Sequence, residues 1–198
     1  MPYDLFVALV VFAFVMAMTP GPNNIMLTAS GVNFGFARSV PHMSGVTIGF
    51  VVMVAACAAG LGLVFTAVPM LQIALKVAGA AYMLWLAWKV ANARPADGDD
   101  GARGEPLTFL QAAAFQWVNP KGLLAALSGI ALFMRPDHAL SDFAVMAAVY
   151  GAATLASVLV WTGFGVALRK LLANPRHARI FNIVMGLLLV ASIVPMVT

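Results

Sequence analysis

Two short stretches, Thr19-Pro20-Gly21-Pro22-Asn23-Asn24 and Val118-Asn119-Pro120-Lys121-Gly122, decide how this chain folds, because each interrupts an apolar run that would otherwise cross a membrane as one helix. The first run, 4–33, would be about 45 Å long as a straight helix, against a hydrocarbon core of about 30 Å. Proline removes a backbone donor and disfavours helix in the residue before it, so 19–22 cannot sit inside a regular helix. The break leaves roughly 14 residues before it and roughly 11 after, which places it near mid-membrane. The run 107–134 repeats the pattern, with roughly 12 residues before Asn119-Pro120 and roughly 15 after. Asn is a favoured N-cap and Pro a favoured first helical residue, so Asn119-Pro120 reads as the start of a new half-helix, and Gly21-Pro22 resembles it.

The whole chain is consistent with this reading. Of its 198 residues, 63% are hydrophobic and 9% charged, with mean hydropathy +0.96. A soluble domain carries about 25% charged residues. Six apolar segments, about 4–33, 39–62, 68–90, 107–134, 143–168 and 180–197, fill the chain and leave no room for a separate soluble domain. The expected architecture is an all-α membrane protein, a single transporter domain over 1–198 with six transmembrane helices. The N-terminal MPYDLF has no basic region and reads as the start of the first span rather than a removed signal peptide. Cys57 is the only cysteine, so no internal disulfide forms, and its apolar surroundings make it a small buried residue.

The polar, Gly- and Pro-containing stretch 91–106 divides the spans three and three and reads as a cytoplasmic linker. Arg38, Lys89, Arg94, Arg103, Arg169, Lys170, Arg176 and Arg179 fall in the loops after spans one, three and five, while Arg135 alone marks the opposite side. By the positive-inside rule those loops are cytoplasmic and both termini are periplasmic. The net charge of +4 is thereby assigned to loops facing the membrane surface and not to a nucleic-acid partner. Three spans per half force the halves, about 1–90 and 107–198, into opposite orientations, as in an inverted repeat whose halves each open with a broken helix.

Irregular backbone at membrane depth survives where it lines a cavity or is buried in protein. The second half-helices would present free N–H groups and a positive dipole end, which suit a carboxylate, and the first would expose carbonyls, which suit an ammonium. Together these fit the two ends of an amino acid; the plainer alternative is a pair of packing kinks. Lys121 lies beside the second break, and an ionisable residue at such depth is a functional candidate. All seven acids map to ends or loops, so either Lys121 is neutral or its partner is the carboxylate of the cargo. Asn23, Asn24 and Asn119 either orient a solute or only cap the broken helices. Gln116, one turn before the second break, is expected to face the same cavity. Tyr82 and Tyr150 are cavity candidates, although interfacial anchoring is the commoner role. Lys76 reads as a snorkelling lysine, His42 as interfacial. Gly45 with Gly49, and Gly31 with Gly35, read as close-packing positions.

The stretches MTPGPNNIMLTASGVNFGFARS (18–39), GAAYMLWLAWKVA (79–91) and FQWVNPKGLLAAL (115–127) resemble the LysE/RhtB family of amino-acid exporters, and the likeness runs to FNIVMGLLLVASIV (181–194). The Asn-Asn after Gly-Pro and the Trp-Leu-Ala-Trp-Lys run look most like its cysteine/O-acetylserine branch. The resemblance implies a bacterial inner-membrane efflux permease for small amino acids, of cysteine/O-acetylserine or threonine/homoserine type, driven by protons and needing no cofactor. The substrate site expected from the two breaks comprises Pro20, Gly21, Pro22, Asn23, Asn24, Gln116, Asn119, Pro120 and Lys121. Many members carry Asp at the position of Asn23, so proton coupling here falls to Lys121, a tyrosine, His42 or the cargo itself. An intramembrane enzyme is disfavoured, since no HExxH or GxSxG motif is present. The alternative function is a cation or metal-ion exporter or channel, which would want acidic or clustered His/Cys ligands inside the membrane, and these are missing. GxxxG-type surfaces are compatible with a homodimer.

Overall fold

The computed structural model describes residues 1–61, 67–93, 105–172 and 174–194. Most of the expected linker 91–106 therefore lies outside the described residues. Among them the chain is helical without strands, in the order α1 (Tyr3–Met18), α2 (Pro22–Ala56), α3 (Pro69–Ala91), α4 (Phe109–Gln116), α5 (Pro120–Phe133), α6 (Ala139–Arg169) and α7 (Pro175–Ala191). By length and composition three helical stretches can cross a membrane: Pro22–Leu61, Ile73–Ala91 and Pro136–Arg169. The apolar helices Tyr3–Met18 and Pro120–Phe133 are shorter, and both abut a break.

The breaks fall where the prolines put them. α1 stops at Met18 because Thr19 turns extended (φ −64°, ψ 140°) ahead of Pro20. Gly21 is then the N-cap and Pro22 the first residue of α2. α4 opens with a capping box, in which the Gln111 amide donates to the Thr108 hydroxyl (3.2 Å) and the Thr108 amide to the Gln111 side chain (3.1 Å). It ends two residues short of Asn119-Pro120. Asn119 is the N-cap of α5 by backbone (φ −79°, ψ 108°), yet its side chain makes no capping bond, which corrects the capping role read from the sequence.

A third interruption lies inside α2. Gly35 has φ 78° and ψ 175°, so two helices, 22–34 and 36–56, meet there. No side chain adopts that conformation easily, which explains the glycine. Gly35 is thus a corner between successive segments and not the packing position expected.

The other paired glycines do bring backbones together. A Cβ on Gly31 would collide with the Thr162 carbonyl, and one on Gly165 with the Thr28 carbonyl. Gly45 faces the Phe109 carbonyl, and Gly49 lies against the Cα of Ala113. α2 accordingly packs most extensively on α6 and then on α4, while α3 packs on α7 and α1 on α6. Two apolar clusters result. One gathers Met26, Leu86, Phe115, Val158 and Leu189, and the other Leu9, Phe50, Met53, Met146 and Tyr150. The outward faces stay apolar, with Val77 and Trp88 of α3 about two-thirds exposed, as a lipid-facing surface requires. Lys76 is on that exposed face. At the start of α6, Asp142 accepts from the Arg135 side chain at 2.7 and 2.8 Å and lies 3.7 Å from the Met1 ammonium.

The glycine contacts are directly testable. Gly165→Ala should destabilise the protein by about 1–3 kcal/mol through overpacking. Gly163→Ala, whose Cβ would meet nothing within 4 Å, should be neutral or stabilising by up to about 1 kcal/mol. Thermal unfolding of the two variants in detergent separates these outcomes.

Candidate functional site

The two breaks meet, and each holds the other. Asn23, the second residue of the half-helix 22–34, donates through Nδ2 to Gln116 Oε1 at 2.8 Å, and Gln116 Nε2 returns a bond to Asn23 Oδ1 at 3.2 Å. Lys121, the second residue of α5, reaches the other way. Its ammonium donates to the Thr19 carbonyl, to the Thr19 hydroxyl at 2.8 Å and to the Pro20 carbonyl at 3.4 Å. Gly21-Pro22-Asn23 and Asn119-Pro120-Lys121 thus play matching parts. In each, the residue after proline crosses to the C-terminal end of the opposite first half-helix.

This supplies the partner of Lys121 that acid counting could not find. The C-terminal end of α1 carries partial negative charge on its unbonded carbonyls, and the lysine ammonium lies on it. The carbonyl end expected to greet a cargo ammonium is, at the first break, already engaged by this side chain. At the second break tight turns serve instead, since the amides of Trp117, Val118 and Asn119 bond the carbonyls of Ala114, Phe115 and Gln116.

Asn24 pins the first break from inside. Its Nδ2 donates to the carbonyls of Ala17 and Thr19, both at 2.9 Å. Ser157 of α6 donates to the same Ala17 carbonyl at 2.7 Å and lies 3.3 Å from Asn24 Oδ1. Asn24 and Asn119 are 5% and 3% exposed, so neither is a surface polar group. The Asn119 Oδ1 has no partner among the described residues, an open acceptor beside the second break.

A cavity of about 60 Å³ lies at this junction. Gly21, Pro22, Asn23, Asn24, Asn119 and Lys121 line it, together with apolar residues from both core clusters. It holds roughly four water-sized volumes. Of the tyrosines, Tyr150 lines it, with its hydroxyl committed to the Ala125 carbonyl at 2.8 Å. Tyr82 does not. It stacks on Trp85, packs near Phe115 and donates to the Gln111 carbonyl at 3.1 Å, so its assignment to this cavity is corrected. Pro20 and Pro120 shape the breaks without lining the cavity, and Gln116 reaches it only through Asn23.

Sequence reasoning missed Thr19, Thr154 and Ser157. The signal for the last two was present, since Tyr150, Thr154 and Ser157 fall at i, i+4 and i+7, one polar stripe on an otherwise apolar helix. Thr19 had only its place before Pro20. His42, expected at an interface, is instead 1% exposed. It sits on the helix 36–56.

The pattern of the LysE type translocator family matches residues 14–193, which include both breaks. Proteins named cysteine/O-acetylserine efflux protein, from Escherichia coli strain K12 and from Shigella flexneri, are 34% identical over 184 residues, 90% of each chain. No solved structure matches the chain. The match covers nearly the full length, and on it the chain belongs to the LysE type translocator family.

Proposed function

We propose that this chain is an efflux permease of the bacterial inner membrane that exports small amino acids or their derivatives, cysteine and O-acetylserine type compounds first among them, in exchange for protons. Family membership and the efflux activity named for its relatives support the transport reading. The observation that carries the site assignment is the crossed anchoring of the two breaks, Asn23 to Gln116 and Lys121 to Thr19.

The chemistry follows from what the junction offers. Proline leads both second half-helices, so the amides of Asn23, Asn24, Lys121 and Gly122 are those a helix start leaves free. Two positive dipole ends and a lysine ammonium converge on one cavity, which favours a carboxylate. The Asn119 Oδ1, the Thr19 and Pro20 carbonyls and the Thr19 hydroxyl are the acceptors available to an ammonium. An amino acid entering here brings its own cation for those acceptors and a carboxylate for Lys121. The lysine then exchanges carbonyl partners for the cargo's carboxylate, and its movement opens the first break. A cargo lacking either charged end makes only half of that exchange.

The same correspondence supports one transporter domain built as a 3+3 inverted repeat of six spans. In it α1 with 22–34 answers α4 with α5, 36–56 answers α6, and α3 answers α7. The packing follows such a rule, α1 on α6 as α4 on α2. The distribution of basic residues supports periplasmic termini and a cytoplasmic linker 91–106.

Lys121→Met should leave the protein folded and inserted while efflux from loaded cells falls by about a hundredfold, as loss of a charged hydrogen-bond partner predicts. Normal efflux by a well-expressed variant would refute the carboxylate site. A reporter fused within 97–101 should read cytoplasmic, and one fused after Thr198 periplasmic; the reverse pattern would overturn the orientation.

A further inference from the structure

We propose that the chain holds a second cargo-binding cavity, with His42 as its polar anchor, in line with the cavity at the breaks. The inference rests on the exporter reading above and adds a step to it.

This cavity, about 200 Å³, is the larger of the two. Its position follows from two helix faces. Along the half-helix 22–34, Pro22 lines the first cavity and Met26, Ser30 and Asn33 the second. Along 36–56, Phe50 and Val46 line the first and His42 the second, at successive steps of four residues. The two cavities therefore follow one another along the groove between the arms of α2. Between them lies the layer of Met26 and Val46, 3% and 2% exposed and part of one apolar cluster.

His42 is what marks the second cavity as a site. Its side chain is almost wholly buried, and neither ring nitrogen has a hydrogen-bond partner among the described residues. A buried polar group without a partner is disfavoured unless something else satisfies it. Of the uncharged polar side chains nearby, Ser30, Asn33 and Asn92 are already engaged, the last with the Trp88 carbonyl at 2.8 Å. Ser30 and Ser39 share a bond at 2.7 Å, and Asn33 and Asn182 exchange a pair of amide bonds at 2.8 and 2.9 Å. The imidazole offers a donor at one nitrogen and an acceptor at the other. Lys89 and Glu105 add one charge of each sign to the wall, against apolar Leu86 and Leu107. Among the described lining residues, one cation, one anion and one imidazole beside apolar Leu86 and Leu107 suit a small zwitterionic amino acid with a short side chain. An inorganic cation would want clustered oxygens and a phosphate several converging charged donors; among the described lining residues the charged groups are Lys89 and Glu105, one of each sign. On the orientation argued above, this is where cytoplasmic cargo is held before the Met26–Val46 layer parts.

The test uses the full chain with Cys57→Ser and Ser30→Cys, in inside-out membrane vesicles, labelled by a membrane-impermeant maleimide. O-acetyl-L-serine, homoserine and the twenty amino acids form an efflux panel, and each serves as a protectant. The expected result is labelling that is slowed by whichever panel members the chain exports. Adding His42→Phe should abolish that protection. The same change should raise the internal concentration needed for half-maximal efflux by about tenfold, as loss of one buried hydrogen bond predicts, while His42→Asn retains most of both properties. Absence of labelling, labelling that exported amino acids do not slow, or unchanged efflux by a well-expressed His42→Phe protein would each overturn the second site while leaving the exporter reading standing. Export of no panel member would sink the exporter reading itself.

Discussion

The fold turns on how two interrupted helices satisfy the backbone groups that interruption leaves bare. Each break strips a helix end of its continuing ladder, and in a low-dielectric setting bare amides and carbonyls are costly. The chain resolves this by exchange. The lysine after Pro120 covers the carbonyls at Thr19 and Pro20, while the asparagine after Pro22 ties to Gln116, whose other amide bond goes to the Ala112 carbonyl. The first break takes part of its carbonyl bonding from the second half, through Lys121, and the Asn23–Gln116 pair ties the two breaks together, so the cavity between them draws its walls from both halves.

The tight glycine crossings serve the same end. Gly31 on Gly165 and Gly45 on Phe109 draw α6 and α4 against the two arms of α2. That approach lets Ser157 reach Ala17 and lets Gln116 reach Asn23, both across large separations in sequence. Thr28 also spans the first crossing, 3.4 Å from the Trp161 carbonyl. Packing and polar bonding are thus not separate contributions here, because each bond needs the helix spacing that a missing side chain allows.

What the sequence discloses follows from how local each rule is. Proline's effect on its own donor and on its neighbour is local, so both breaks, and Pro22 and Pro120 as first helical residues, are legible from residue order alone. The partner of Lys121 is not. Every residue carries a carbonyl, and a search among acids overlooks the backbone as a counter-charge. Asn119 shows the converse, since the preference for asparagine at an N-cap predicts its place correctly but not the use of its side chain. Tyr82 and Tyr150 are alike in apolar context, and only the packing of α3 on α7 and of α6 on α2 separates them. His42 follows a proline near a helix start, and its burial depends on how the helix 36–56 packs, which residue order does not disclose. Gly35 fits a small-residue spacing by coincidence, and its backbone angle alone reveals the corner.

The crossing of Gly31 and Gly165 carries a mechanical consequence. Where side chains interlock, one helix moves over another only if rotamers change together. At the glycine crossing itself the surfaces in contact are peptide backbone, with no side chain between them. What fixes the rotation of the half-helix that bears Asn23 and Asn24 is instead polar, Thr28 to the Trp161 carbonyl, Asn24 to Ser157 and Asn33 to Asn182. The axis is therefore located by backbone contact and its angle by a few hydrogen bonds.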